Sequence, residues 1–319
     1  MKKSESWDVI VIGSSNTDFL VKSDTLPQPG QTLAGTEFFQ GPGGKGANQA
    51  VAAARLGARV AFLTCLGCDP RGEQLLQQLK AEGVDTRFVV RDKKSFTGAA
   101  VIMVDAKGEK QILAAAGANG RLSAQNVRSA LSQIAHAGVV LMQFEIPMPA
   151  VHEGARLGRK LGARVILDPA PPVHMPNDNL LALIDVIRPN SSEAEALTGI
   201  RVVDRQTARQ AATELIRRGV RAVVLQAGPK GDLLVQMEHE EFFPRIPVKS
   251  VDATGAGDAF AGALAAEIAR GHSFAEACQF ASAAAAFATM KVGAQTALPH
   301  RREVMKLLKQ AAGQSDRSR

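Results

Sequence analysis

Apolar positions along the chain change their spacing from one stretch to the next. Over 8–13 the run Asp8-Val9-Ile10-Val11-Ile12-Gly13 is continuous, as in a parallel strand buried on both faces. Over 19–40 and again over 97–115 the apolar runs are short and partly polar. Within the second stretch, runs at 99–104 and 110–113 flank Asp105-Ala106-Lys107-Gly108, which reads as a hairpin. Neither stretch alternates with helices, so both belong outside the main sheet, as a small β-sheet lid inserted at about 17–41 and 97–116. The remaining pattern predicts helices over 49–56, 70–82, 123–136, 149–161 and 204–218, and strands over 139–145, 163–167, 184–187 and 222–226. Apolar helices over 259–268, 274–290 and 301–312 follow. Strand alternating with helix implies one α/β domain, 1–319, with a doubly wound, mostly parallel sheet flanked by helices. Residues 313–319 are small, polar and charged and predict a disordered tail.

An apolar share of 45% is enough for a full core, and the longest apolar runs, 139–142 and 283–288, are too short to span a membrane. Residues 1–7 lack the apolar core of a signal peptide, so the expected compartment is the cytoplasm, with no membrane partner. The net charge is +7, but its basic residues are scattered, aromatics are 4% and Tyr is absent, which argues against nucleic acid as a partner. Cys65-Leu66-Gly67-Cys68 has the spacing of a redox pair. Cys65 nevertheless continues an apolar strand as a small buried residue, and the third cysteine, Cys278, is too little for a zinc site.

The candidate chemistry gathers at the predicted carboxyl ends of strands, where open α/β sheets bind ligands. Asp252-Ala253-Thr254-Gly255-Ala256-Gly257-Asp258 runs into an apolar helix, an arrangement that suits a phosphate at the helix N-terminus. Asp258 is either the cap of that helix or a base for an attacking alcohol. Gly41-Pro42-Gly43-Gly44-Lys45-Gly46-Ala47-Asn48 is spelled like a dinucleotide fingerprint, but it does not follow the first buried strand, and Lys45 precedes Gly46 instead of the Ser or Thr of a Walker loop. It reads instead as a close approach to a ligand, with Lys45 and Asn48 offering donors and an acceptor to sugar hydroxyls. Asn16 and Asp18 either read a polar ligand or form an Asx turn, and Glu145 and Asp168 stand at further strand ends. Asn190 and Glu193 have capping-box spacing and could also orient hydrated magnesium. The turn Ala227-Gly228-Pro229-Lys230-Gly231 after Gln226 is open enough to lie over a nucleotide, with Lys230 either meeting phosphate or facing water.

Five segments in order, Gly43-Gly44-Lys45-Gly46-Ala47-Asn48-Gln49-Ala50, Ala116-Gly117-Ala118-Asn119, Pro169-Ala170-Pro171, Pro189-Asn190 with Glu193-Ala194-Glu195, and Asp252 to Asp258, make the chain similar to the ribokinase-like (PfkB) carbohydrate kinase family. The resemblance runs from Gly13-Ser14 to Gly293-Ala294-Gln295. It implies a doubly wound domain with a β-lid that also forms a homodimer interface, and ATP-dependent transfer to the 5-hydroxyl of ribose. By the same resemblance Asp258 is the catalytic base, and Gly255, Ala256 and Gly257 form the anion hole. Asn16, Asp18, Gly44, Lys45, Asn48 and Glu145 bind the sugar. Asn190, Glu193, Ser282, Gly257 and the segment Gln226, Ala227, Gly228, Pro229, Lys230 and Gly231 serve ATP and Mg²⁺. A K⁺ activator is implied at Asp252, Thr254, Ala288, Lys291, Gly293 and Ala297. Two departures are visible. Ala297 stands where the family often has Ser, which removes a cation ligand, and Asp168 replaces a common Asn without, on this reading, touching a residue of the chemistry.

Overall fold

The computed structural model describes residues 5–172 and 175–315. The apolar run near the start forms β1 (Glu5–Ile12), whose side chains alternate between two cores, Trp7, Ile10 and Ile12 in one and Val9 and Val11 in the other. After it come β2 (Asn16–Lys22), β3 (Glu37–Gly43), α1 (Lys45–Arg55), β4 (Val60–Leu63), β5 (Cys65–Gly67) and α2 (Pro70–Ala81). The middle of the chain forms β6 (Val90–Asp92), β7 (Gly98–Val104), β8 (Lys110–Ala115), α3 (Ala124–Leu131), β9 (Ile134–Gln143), α4 (Met148–Lys160), β10 (Arg164–Asp168) and the short α5 (Asp178–Leu181). The last part comprises β11 (Val186–Ile187), α6 (Ser191–Thr198), α7 (Arg205–Arg217), β12 (Ala222–Gln226), β13 (Gly231–Gln236), β14 (Glu240–Pro244), α8 (Ala256–Ala269), α9 (Phe274–Ala288) and α10 (Arg301–Ser315).

Eight strands form the main sheet in the order β14-β13-β12-β11-β10-β9-β1-β4. Pairing is parallel from β4 to β12 and antiparallel at β12–β13 and β13–β14. Apolar faces of α3, α4, α6 and α7 cover one side, while α1, α8 and α9 cover the other. Because β4 and β9 flank β1, the chain leaves β1 in opposite directions, and a crevice opens beyond the carboxyl ends of β1, β9 and β10. A second sheet, β3-β2-β7-β8, is built from the two partly polar stretches, with β7 parallel to β2 and the outer pairs antiparallel.

Three differences from the sequence expectations have physical causes. The helix expected over 123–136 ends at Leu131, because Ile134 and Ala137 are buried and extend β9 alongside Glu5 and Trp7 of β1. The hairpin β13–β14, absent from the expected elements, closes one edge of the main sheet with Leu233, Leu234 and Val235 buried. Helix α10 continues to Ser315, into the stretch expected to be a tail, and 316–319 lie outside the described residues. Cys65 is buried in β5, and burial pushes its thiol up to about 11.

Candidate active site

Two helix N-termini face the crevice. Helix α8 is buried along almost its whole length, so it sits against the sheet as a central element. Its N-cap is Gly255, in left-handed backbone with φ 77°, and no side chain caps the first turn. The opening amides are therefore left without a side-chain acceptor, as an anion site requires. Asp258 is the third residue of the helix and is not the cap. Its carboxylate is held by two side-chain amides from α1, Asn48 Nδ2 to Oδ2 at 2.9 Å and Gln49 Nε2 to Oδ1 at 3.0 Å. Such contacts require α1 and α8 to cross closely, and Gly262 permits it. A Cβ there would lie 2.6 Å from Ala52 Cβ and 2.8 Å from the Gln49 carbonyl.

Helix α1 begins at Lys45 behind Gly44, whose φ of 85° and whose approach to the backbone of Ser15 and Asn16 exclude a side chain. Glu145, from beyond β9, accepts the Lys45 backbone amide at 3.0 Å and the Ser14 hydroxyl on the same oxygen, Oε2. Asn16 and Asp18 lie in β2, so the Asx-turn alternative does not describe them. Asn119 locks the first of the pair, donating to Asn16 Oδ1 at 2.7 Å and accepting the Ser15 amide at 2.9 Å. The Asp18 carboxyl lies over Gly43, and its Oδ1 is buried without a hydrogen-bond partner in the protein. Burial first, then the charges of Glu145 and Asp258, push Asp18 up to about 7. Lys45 shows the opposite balance: burial opposes its charge, but Asp168, Asp258, Glu145 and Glu193 outweigh it and hold the ammonium above its ordinary value.

Asp168 requires a correction. It is buried, accepts Gln49 Nε2 at 2.7 Å and lies 3.9 Å from Lys45 Nζ, so it touches residues of the site. Burial pushes its carboxyl up to about 6 despite Lys45. Gln49 itself is fixed by Gln143 Nε2 at 2.6 Å, and Gln295 Nε2 donates to Asn48 Oδ1 at 3.0 Å. This buried amide relay joins Asp168 to Asp258. Its members stand in or beside the motifs read from sequence, but their connection crosses as many as 247 positions of chain and has no local signal.

On the other side of the α8 N-terminus is a cavity of about 450 Å³. Asn190, Gln226, Gly231, Gly257 and Ser282 of the expected nucleotide set line it. Glu193 is not in its wall, and neither are Ala227, Gly228, Pro229 and Lys230. The last four form the β12–β13 connection, with Lys230 exposed. Asn190 and Glu193 make the full capping box of α6, Asn190 Oδ1 accepting the Glu193 amide at 2.9 Å and Glu193 Oε2 accepting the Asn190 amide at 2.9 Å.

Three charged groups of this cavity were not foreseen: Arg188, Asp232 and Arg245. Arg188 stacks over Phe260 with 4.6 Å to the ring centroid, and its Nη1 lies 3.1 Å from where a Gly257 Cβ would be. A cation is thus aimed at the α8 N-terminus. Its position at a strand's end, directly before Pro189-Asn190, was the available signal. Burial raises the Asp232 carboxyl against the pull of Arg188, and Ser282 Oγ donates to it at 3.4 Å.

Of the expected cation set, Asp252, Thr254 and Gly293 meet. Asp252 Oδ1 accepts the Thr254 amide at 3.0 Å and hydroxyl at 2.6 Å, and Oδ2 accepts the Gly293 amide at 3.0 Å. Ala288 and Ala297 are buried, and the Lys291 ammonium faces Glu303 at 3.6 Å. An unforeseen group completes the corner. Lys110 Nζ, from β8, donates to Asp252 Oδ1 at 2.9 Å and also to the Thr254 hydroxyl. Burial alone would raise Asp252, but the bonds from Thr254, Gly293 and Lys110 hold it well below the usual carboxylate range.

Several proteins are similar to the chain along nearly its whole length. A ribokinase of Haemophilus influenzae is 40% identical over 94% of this chain and 98% of its own. A deoxyribokinase of Salmonella typhi is 33% identical over 92% and 95%. The structure of an Arabidopsis thaliana ribokinase complexed with ribose and ATP superposes with a TM-score of 0.86 at 33% identity, covering 96% of this chain and 99% of that one. The family described as pfkB family carbohydrate kinase matches residues 7–301, from β1 to the start of α10. On that match, and with such relatives along nearly its whole length, the chain belongs to the pfkB family of carbohydrate kinases.

Proposed function

We propose that the protein transfers the γ-phosphoryl group of ATP to the 5-hydroxyl of D-ribose, with Asp258 as general base. The observation that carries this reading is the position of Asp258. It lies on the first turn of α8, oriented by Asn48 and Gln49, between the polar crevice and the 450 Å³ cavity. Asn16, Asp18, Gly44, Lys45, Asn48 and Glu145 hold the sugar, and the buried unpartnered Oδ1 of Asp18 is an acceptor suited to a hydroxyl donor. ATP occupies the cavity with its phosphates toward Gly255, Ala256 and Gly257.

The hydroxyl oxygen bonds to the γ-phosphorus as the bond to the β,γ-bridging oxygen breaks. ADP leaves with that electron pair, and the proton passes to Asp258, giving ribose 5-phosphate. In a loose transition state the protein positions the reactants and neutralises charge, so the α8 amides and the Arg188 guanidinium carry the electrostatic part. The donor set suits a hydrated magnesium ion carried by the phosphates. Each Glu193 oxygen accepts one bond from Asn190 and keeps a free lone pair, and Asn190 lines the cavity. Asn190 and Glu193 would orient its water shell, and the ion neutralises phosphate charge when bound. The potassium set fits poorly, because the Lys110 ammonium already lies against Asp252 Oδ1 and the Thr254 hydroxyl, and Ala297 offers no side-chain oxygen. No step is assigned to that ion.

The reading includes a cytoplasmic homodimer formed through the small sheet acting as a lid. Supporting the dimer, Phe38, Val101 and Leu113 share one face of that sheet by register and are 66%, 44% and 77% exposed. The deoxyribokinase relative favours one alternative acceptor, deoxyribose, which differs by a single hydroxyl contact. ADP formation from ATP and Mg²⁺ with ribose, deoxyribose, fructose and adenosine as separate acceptors tests the assignment. Ribose is expected to give the highest kcat/KM. Preference for another acceptor would overturn the substrate, and ribose binding without turnover on any acceptor would make the protein a sugar sensor.

A further inference from the structure

The corner formed by Asp252 lies three residues before the anion-binding turn, and its carboxylate accepts hydrogen bonds from the Thr254 amide and hydroxyl, the Gly293 amide and the Lys110 ammonium. A cation already stands at this corner, because the ammonium meets both Asp252 Oδ1 and the Thr254 hydroxyl. The Asp252 side chain is only 17% exposed, so its charge requires a partner close at hand. That partner comes from outside the main domain layers. Lys110 is the first residue of β8, the outer strand of the small sheet, 142 positions away in sequence.

We propose that the Lys110 ammonium is a tethered cation that takes the place of a free monovalent ion beside the anion-binding turn, tying the seating of the small sheet to the geometry of the α8 N-terminus. Lys110 is then a positioning residue: it acts through Asp252 and Thr254 on the turn that receives the phosphoryl group. Thr254 both accepts from Lys110 and donates to Asp252, so the three groups set the entry to Gly255 together. When the small sheet moves away, the ammonium leaves with it and the turn loses its cation.

The proposal rests on the kinase reading, and one experiment separates the two. Turnover and melting temperature are measured for the wild type, Lys110→Met and Lys110→Gln, with Mg²⁺ fixed and either K⁺ or tetramethylammonium as the only monovalent cation at equal ionic strength. Wild-type turnover should differ less than about twofold between the cations, whereas the variants should lose on the order of tenfold in tetramethylammonium and recover most of it in K⁺. K⁺ should also raise the melting temperature of the variants and leave that of the wild type unchanged. A structural role alone would not produce rescue by a specific ion. Strong K⁺ activation of the wild type, or variants with wild-type turnover and no K⁺-specific change in melting, would overturn the proposal. Absence of turnover in the wild type would count against the kinase reading, and the melting comparison would still decide the role of Lys110.

Discussion

Asp18 and Asp258 are both carboxylates of one crevice, yet their surroundings differ. Asp258 is given two amide donors by α1, while Asp18 has one oxygen with no donor and the negative charges of Glu145 and Asp258 nearby. Asp18 therefore holds its proton up to about pH 7. Since the folded value lies above the ordinary 3.8, its contribution to stability is present below about pH 4 and is lost as pH rises through 7. Asp168, pushed up to about 6, adds a change of the same sign. Sugar binding should show the opposite trend, because hydroxyl donors favour the ionised carboxylate. Ribose is expected to bind about tenfold more tightly at pH 8 than at pH 6, and Asp18→Asn to remove that dependence, as calorimetry on both proteins would reveal. An unchanged pH dependence in Asp18→Asn would remove Asp18 from the sugar site.

At the scale of elements, the crossing of α1 and α8 delivers Asn48 and Gln49 to Asp258. Gly262→Ala puts a methyl 2.6 Å from Ala52 Cβ, so the helices must separate. Overpacking of this kind costs about 1–3 kcal/mol, and a lower urea midpoint together with a lower kcat is expected. Equal stability with a lowered kcat would mean that the crossing strains only the site. Much of this layer was legible in the sequence. The strand ends carrying Glu145 and Asp168, the glycine turn before α1 and the Asp252–Asp258 segment are local patterns of apolar run, glycine and polar residue. What was not legible depended on distant parts of the chain. Helix α3 gives way early because β1 claims Ile134 and Ala137. Arg188 and Lys110 take their meaning from Gly257 and Asp252, neither of which is near in sequence.

For the whole molecule, the small sheet presents an apolar face that a monomer leaves in water. Phe19 and Phe38 stack on it with centroids 6.5 Å apart, and Leu113 pairs in register with Val101. A symmetric pairing of two such faces, as in the proposed dimer, would bury them. Leu113→Lys should convert a dimer to a monomer in sedimentation and raise KM for ribose more than it lowers kcat. A wild type that sediments as a monomer at micromolar concentration would remove the dimer from the account.

In the proposed reaction Asp258 takes the proton of the sugar hydroxyl while other groups hold the sugar. Turnover of Asp258→Asn with ATP, Mg²⁺ and ribose, measured beside ribose binding by the same protein, separates these two roles. kcat should fall by about 10²–10⁴ with ribose still bound, the range for loss of a general base. Turnover at the wild-type rate would contradict the proposed role of Asp258.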